Sequence, residues 1–187
     1  MSDDAQGILD RIEADERELI LPRFDLSDAW ILGSRMRTAA EEAGLPVVIG
    51  ITLGEARVFH TALSGSSADN DSWLERKTRV ARRYGRSSYG VGQSFRAVGK
   101  DFDIDARLDP QLYAAHGGVI PITIAGVGVV GTAGVSGLPR PTTTRSSSST
   151  CAPISQRCDR MPRPAPVTCR RAAQPWVTLR AYVVGRG

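Results

Sequence analysis

The chain holds two histidines, His60 and His116, and no metal-binding pair of cysteines in its first 140 residues. His116 stands in the run Tyr113-Ala114-Ala115-His116-Gly117-Gly118, just ahead of an apolar stretch that opens at Val119. An imidazole beside two glycines suits the axial position of a haem iron, and the glycines let a flat ligand or an anion approach the backbone closely. The plainer role for the same residues is a loop in which His116 makes a hydrogen bond and the glycines supply positive φ. A second cluster is Asp69, Asn70, Trp73, Arg76 and Lys77. Asp69 or Asn70 is placed to cap a helix, and Trp73 to anchor it. Arg76 and Lys77, one turn further on, suit a carboxylate or propionate. The plainer reading is a cap, a core tryptophan and a solvated basic face. His60 ends an apolar run and reads as packed or exposed, not as a ligand.

Other motifs exclude more than they suggest. Gly126, Gly128 and Gly131 superficially resemble a dinucleotide loop, but the spacing is wrong and the run lies within a strand pattern instead of opening a helix. No HExxH, Walker loop or G-x-S-x-G is present. Cys151, Cys158 and Cys169 are irregularly spaced, so no metal site and no catalytic residue is assigned.

The elements that must position these side chains follow from periodicity. Residues 3–17 carry Ile8, Leu9 and Ile12 among charges and predict an amphipathic helix. Leu19-Ile20-Leu21, broken by Pro22, predicts an edge strand. Asp25 or Ser27 caps a helix running to about Ala43, with Ala29, Trp30, Leu32, Gly33 and Met36 inward and Gly44 closing it. Residues 46–52 and 56–60 form a hairpin turned at Gly54-Glu55. Residues 69–84 form a second long helix, with Trp73, Leu74 and Val80 inward and Arg76, Lys77, Arg79, Arg82 and Arg83 outward. Residues 85–99, rich in Ser and Gly, read as a loop. Residues 119–124 and 127–135 are two strands joined at Ala125-Gly126. The pattern predicts an α+β fold: an antiparallel sheet of about five strands with helices packed on it, a profilin-like arrangement.

Charge divides the chain at Arg140. Up to that residue there are 16 Lys+Arg against 19 Asp+Glu, a balance of −3; beyond it the balance is +7. All three cysteines and six of the eleven prolines lie beyond it. The basic excess is therefore no sign of a nucleic-acid-binding domain. Met1–Asp10, with three Asp and no basic residue, does not read as a signal peptide, and no apolar run is long enough to span a bilayer. A cytoplasmic protein is expected.

The run from Pro141 to Cys151 has a second meaning in a displaced frame. Every Thr codon begins AC, so codons read from one third base onward become NAC: Asp, His, Asn or Tyr. Ser codons of the TCN type become NTC: Phe, Leu, Ile or Val. With G or C at the wobble positions, one permitted reading is Asp-Asp-His-Ala-Leu-Val-Val-Glu-His-Leu-Arg-Ala. That is an acid-headed amphipathic helix. The expectation is therefore a domain over residues 1–140 and, over 141–187, a disordered tail read out of frame.

The chain resembles the haem-degrading-domain (GlcG/HbpS-like) family, in its uncharacterised branch. The resemblance rests on Leu21-Pro22-Arg23-Phe24, Asp28-Ala29-Trp30 with Leu32-Gly33, Leu45-Pro46-Val47 and Asp69-Asn70 with Trp73 and Arg76-Lys77. It rests also on Ser87-Ser88, on Tyr113 to Gly118 with Pro121, and on Val135-Ser136-Gly137-Leu138-Pro139. After a motif like the last, the resembled family carries an Asp-His pair and a helix of the kind the displaced frame restores. The resemblance implies a soluble domain that binds a small planar or anionic ligand, haem among them. The residues read above, and not the resemblance, supply its candidate ligand-binding set: Asp69, Asn70, Trp73, Arg76, Lys77, His116, Gly117 and Gly118. The resemblance also implies homo-oligomers of the frame-restored chain, while the charge division and the lack of a long apolar run leave neither nucleic acid nor membrane as an expected partner. The rival readings are an oligomeric or chaperone-associated scaffold and an enzyme of unassigned reaction.

Overall fold

A computed structural model describes residues 2–138. Its elements are α1 (Ser2–Glu18), β1 (Ile20–Leu21), α2 (Leu26–Glu42), β2 (Val48–Leu53), β3 (Ala56–Ala62), α3 (Ala68–Tyr84), α4 (Ser88–Ala97), α5 (Phe102–Asp105), β4 (Val119–Ile124) and β5 (Gly128–Ser136). The strands form one sheet in the order β1-β4-β5-β2-β3. The fold is α+β, as the pattern predicts. Residues 141–187, for which a disordered out-of-frame tail is expected, lie outside the described residues, as does any helix after β5.

Local chemistry sets the helix ends. The Asp25 carboxylate accepts the N–H groups of Ser27 and Asp28 at 2.8 and 3.0 Å, and the Asp28 carboxylate accepts the N–H of Asp25 at 3.1 Å, a reciprocal cap on α2. Gly44, at φ +61°, turns the chain out of that helix.

Alternation along the strands sends side chains to two faces. Ile49, Ile51, Phe59, Ile120, Ile122, Ala133 and Val135 form one cluster with Ala29, Leu32 and Ala40 of α2. Gly33 lets the helix settle there: a Cβ on it would lie 2.4 Å from the Phe59 ring. Val48 and Val119 face the other way and pack with Leu74 and Ala81 of α3. Beyond α3, a third cluster joins Val80, Val91, Phe102 and Ala115.

Four expectations need correction. The sheet is mixed, not wholly antiparallel, because β1 runs parallel to β4, with Ile20 opposite Thr123. Its neighbour in the sheet is not its neighbour in sequence, so no hairpin dictates its direction. Residues 88–97, read as loop, form α4. Its glycines mark close approach: a Cβ on Gly92 would stand 2.3 Å from the carbonyl oxygen of Ala115, and one on Gly90 would stand 3.0 Å from Ile12 of α1. Trp30, read as inward, is 66% exposed, though its ring meets Phe59 edge-on at 5.8 Å. Lys77, read as outward, is 5% exposed.

The β4 edge of the sheet is closed by side-chain chemistry. The Ser88 hydroxyl accepts the N–H of Val119 and donates to its C=O, both at 3.2 Å. Pro121, two residues on and on the same edge, has no N–H to offer. Thr123, two further, meets β1.

Candidate functional site

The candidate residues sit where α3 meets the segment 109–118 that leads into β4. Asn70 starts the helix: its side-chain oxygen accepts the N–H of Ser67 at 2.8 Å and the Ser67 hydroxyl at 3.3 Å. The cap is therefore the Ser67–Asn70 pair. Asp69, exposed beside it, makes no part of that cap. Neither residue approaches the rest of the cluster through any bond among the described residues.

One turn later the side chains converge. The rings of Trp73 and His116 meet edge to face, with centroids 5.5 Å apart and planes at 62°. The Arg76 guanidinium lies over the Trp73 ring, 4.0 Å from its centroid, and donates to the carbonyl oxygen of Pro110 at 2.6 Å. Cation–π contact of this kind is worth about 0.5–1 kcal/mol at a half-exposed site. Trp73, Arg76 and His116 are each half-buried and Gly117 is exposed.

Lys77 does a different job. Its ammonium donates to the carbonyl oxygen of Val135 at 2.8 Å and to that of Gly117 at 3.2 Å. Burial lowers its pKa from 10.5 to about 8. Gly118, at φ +123°, is crowded from two sides: a Cβ there would stand 2.5 Å from the Val135 oxygen and 3.0 Å from Nζ of Lys77. So Lys77 and Gly118 lock the base of the loop to β5, whereas among the described residues Trp73, Arg76 and His116 keep part of their surface open beside Gly117.

Sequence reasoning missed the partners of the other arginines. Arg79 donates to the carbonyl oxygen of Leu112 at 3.3 Å, and Arg83 faces the Tyr113 ring at 5.9 Å. The N–H of Ala114 returns a bond to the carbonyl of Arg76 at 3.3 Å. Spacing of 3, 3 and 4 residues along Trp73, Arg76, Arg79 and Arg83 puts them on one helix face, which was legible; that the face binds a loop was not, because backbone carbonyls carry no sequence signal. His60, read as packed or exposed, is a surface partner of Asp71, its Nε2 2.7 Å from Oδ1.

A separate open cleft of about 410 Å³ lies between α1, β1 and β4, lined by Glu13, Glu16, Leu19, Ile20, Arg86 and Pro121 among others. Within it Glu16 accepts the N–H of Ser87 at 2.9 Å and pairs with Arg86 at 3.3 Å, tying α1 to the start of α4. No helix among the described residues is long and apolar enough to cross a membrane. No group of three or more His, Cys, Asp or Glu residues among them could hold a metal ion.

The model of the haem degrading protein HbpS-like family matches residues 24–143, which takes in α2 through β5 and every candidate residue. The chain belongs to the HbpS-like family. Among its relatives, the UPF0303 protein of Streptomyces avermitilis is 53% identical over 129 residues, covering 69% of this chain and 79% of the relative. A UPF0303 protein of Rhizobium etli is 42% identical over 132 residues, covering 71% and 80%. The solved structure of the Ybr137w protein superposes with a TM-score of 0.63 at 32% identity, covering 70% of this chain and 77% of that one. The family resemblance read from Leu21-Pro22 through Pro139 is borne out, and HbpS-like membership fits the α+β fold.

Proposed function

We propose that this HbpS-like chain binds a small planar anion, haem being the specific case, against Trp73 and His116 with Arg76 as the counter-charge. One observation carries the reading: an imidazole, an indole and a guanidinium converge in a single cluster beside the exposed, side-chain-free Gly117. The donor set fits haem. His116 would ligate the iron and Arg76 would neutralise a propionate, while the bound group would itself supply the iron chemistry. Lys77 holds the loop that carries His116, and it does so from the far side. The family description supports the choice of haem over other planar anions.

Titration of the full chain with haem, followed at the Soret band, tests this. A saturable shift is expected, absent in His116→Ala and at least several-fold weaker in Arg76→Ala. No shift, or a shift indifferent to His116→Ala, overturns the reading.

A second reading, a self-associating scaffold, is favoured by a specific surface. Leu26, Trp30 and Ile31 of α2 are 67%, 66% and 45% exposed. Leu26 lies one turn before Trp30 and Ile31 directly after it, and exposed apolar side chains grouped at one end of a helix suit an interaction face.

A further inference from the structure

The Ser87-Ser88 pair and the glycines of α4 lie outside the proposed site, yet they hold that helix along the loop that carries His116. The Ser88 hydroxyl accepts the N–H of Val119 and donates to its C=O, both at 3.2 Å. Four residues on, Gly92 passes so near the loop that a Cβ on it would stand 2.3 Å from the carbonyl oxygen of Ala115. Between these two fixed points of α4 stands Tyr89, half-buried.

The Cβ direction of Gly117 leads to this tyrosine. Its chain neighbours aside, the nearest atoms to a Cβ placed there all belong to Tyr89: Cδ2 at 3.7 Å, Cβ at 3.9 Å and Cγ at 4.0 Å. Those are distances of ordinary van der Waals contact, near the optimum for dispersion. Gly117 is itself exposed. The space where another residue would carry its side chain is therefore open to solvent and walled by a phenol ring, with room for one layer of atoms. On the preceding residue, the His116 ring meets Trp73 of α3. Two aromatic walls, one from each helix, thus stand at successive residues of one loop, beside bare backbone.

We infer that Tyr89 is a ligand-binding residue of this site and that the site recognises a flat aromatic face as such: an extended planar aromatic acid packs against Tyr89 in the space that Gly117 leaves open, whether or not it carries a metal. The inference rests on the planar-anion reading above and narrows its ligand class. A compact anion such as phosphate would find Arg76 but leave the Tyr89 surface uncovered. Contact between aromatic groups adds to what burial of their area gives. A ring already fixed by the packing of its own helix loses little freedom when a ligand arrives. The bare glycine is the condition of the contact, because a side chain in its place would fill the ligand's position.

Haem and iron-free protoporphyrin IX, each titrated into the full chain and followed by absorbance and by quenching of tryptophan fluorescence, test the inference. Both should bind. Tyr89→Ala and Gly117→Leu should each weaken both ligands about tenfold, the weight of one well-packed aromatic contact. Tyr89→Phe, which keeps the ring, should bind as the native chain does. Gly117 lies outside the positive-φ region, so Gly117→Leu keeps the fold and the native urea midpoint; were Tyr89→Ala to unfold, Gly117→Leu alone decides. Haem bound as tightly by Gly117→Leu as by the native chain, or haem bound and protoporphyrin IX not, overturns the role of Tyr89 and leaves the planar-anion reading standing. Neither porphyrin bound overturns both.

Discussion

Replacing Lys77 by Met should change how stability depends on pH more than it changes stability at pH 7. The ammonium is 5% exposed and bonded to the carbonyls of Gly117 and Val135. Losing its two bonds costs about 1–3 kcal/mol for each carbonyl left without a donor. Against that, Met removes a charge that is costly to bury. The pKa is lowered from 10.5 to about 8, and each unit is worth about 1.36 kcal/mol, so burying the ammonium costs about 3 kcal/mol. At pH 7 the two effects oppose each other. Below pH 8 lysine is protonated in both the folded and the unfolded chain, and the difference between the proteins is flat. Between pH 8 and 10.5 the unfolded chain keeps the proton that the folded chain has shed. The unfolded state then binds more protons, so folded stability rises with pH. A neutral amine still has two N–H groups for the two carbonyls. Urea unfolding followed by tryptophan fluorescence, at pH 7, 8, 9 and 10.5, should therefore show the native chain gaining about 3 kcal/mol on Lys77→Met across that window. A difference that stays constant with pH, or moves toward the variant, refutes the account of Lys77 as a buried, charge-strained tie.

Two further outcomes follow from packing and from the coding sequence. We propose that residues 141–187 are translated in a displaced frame: the family match ends at residue 143, close to the expected break. A gene restored in frame near codon 140 should yield a chain more stable by several kcal/mol, since a helix burying three or four apolar side chains at about 1.5–3 kcal/mol each approaches the stability of a whole domain. Equal melting temperatures for the two chains would count against it. Gly92→Ala should lose about 1–3 kcal/mol, because the added methyl would stand 2.3 Å from a backbone oxygen that cannot swing aside; an unchanged urea midpoint would show that α4 and the 113–116 segment are not held in contact.

Much of the architecture was legible because local signals agreed with the tertiary ones. Asp25, Gly44 and the Gly54-Glu55 turn each announce a boundary, and the structure places them there. The failures share a cause. In α4, Gly90 and Gly92 lower helix propensity but are needed for close approach to α1 and to Ala115, so tertiary packing overrides the local reading. Lys77 stands among the basic residues Arg76, Arg79, Arg82 and Arg83, and only the fold turns it inward. Trp30 shares its helix with buried Ala29 and Leu32, and its size suggested the core, yet it stands on the outward side. For the site, residue types revealed Trp73, Arg76 and His116; nothing in the sequence revealed that the oxygens of Pro110, Leu112 and Val135 would hold the neighbouring cations.

The serine–proline closure at the start of β4 also limits what that edge can pair with. A sheet with two open edges can add copies end to end without stopping, which is the geometry of a fibre. At Val119 and Pro121 no N–H of β4 is left for an incoming strand, so among the described residues the sheet on that side ends with the two residues of β1, Ile20 and Leu21. Loss of the Ser88 hydroxyl would therefore do more than weaken a contact: it would return the N–H and the C=O of Val119 to that edge as unpaired groups.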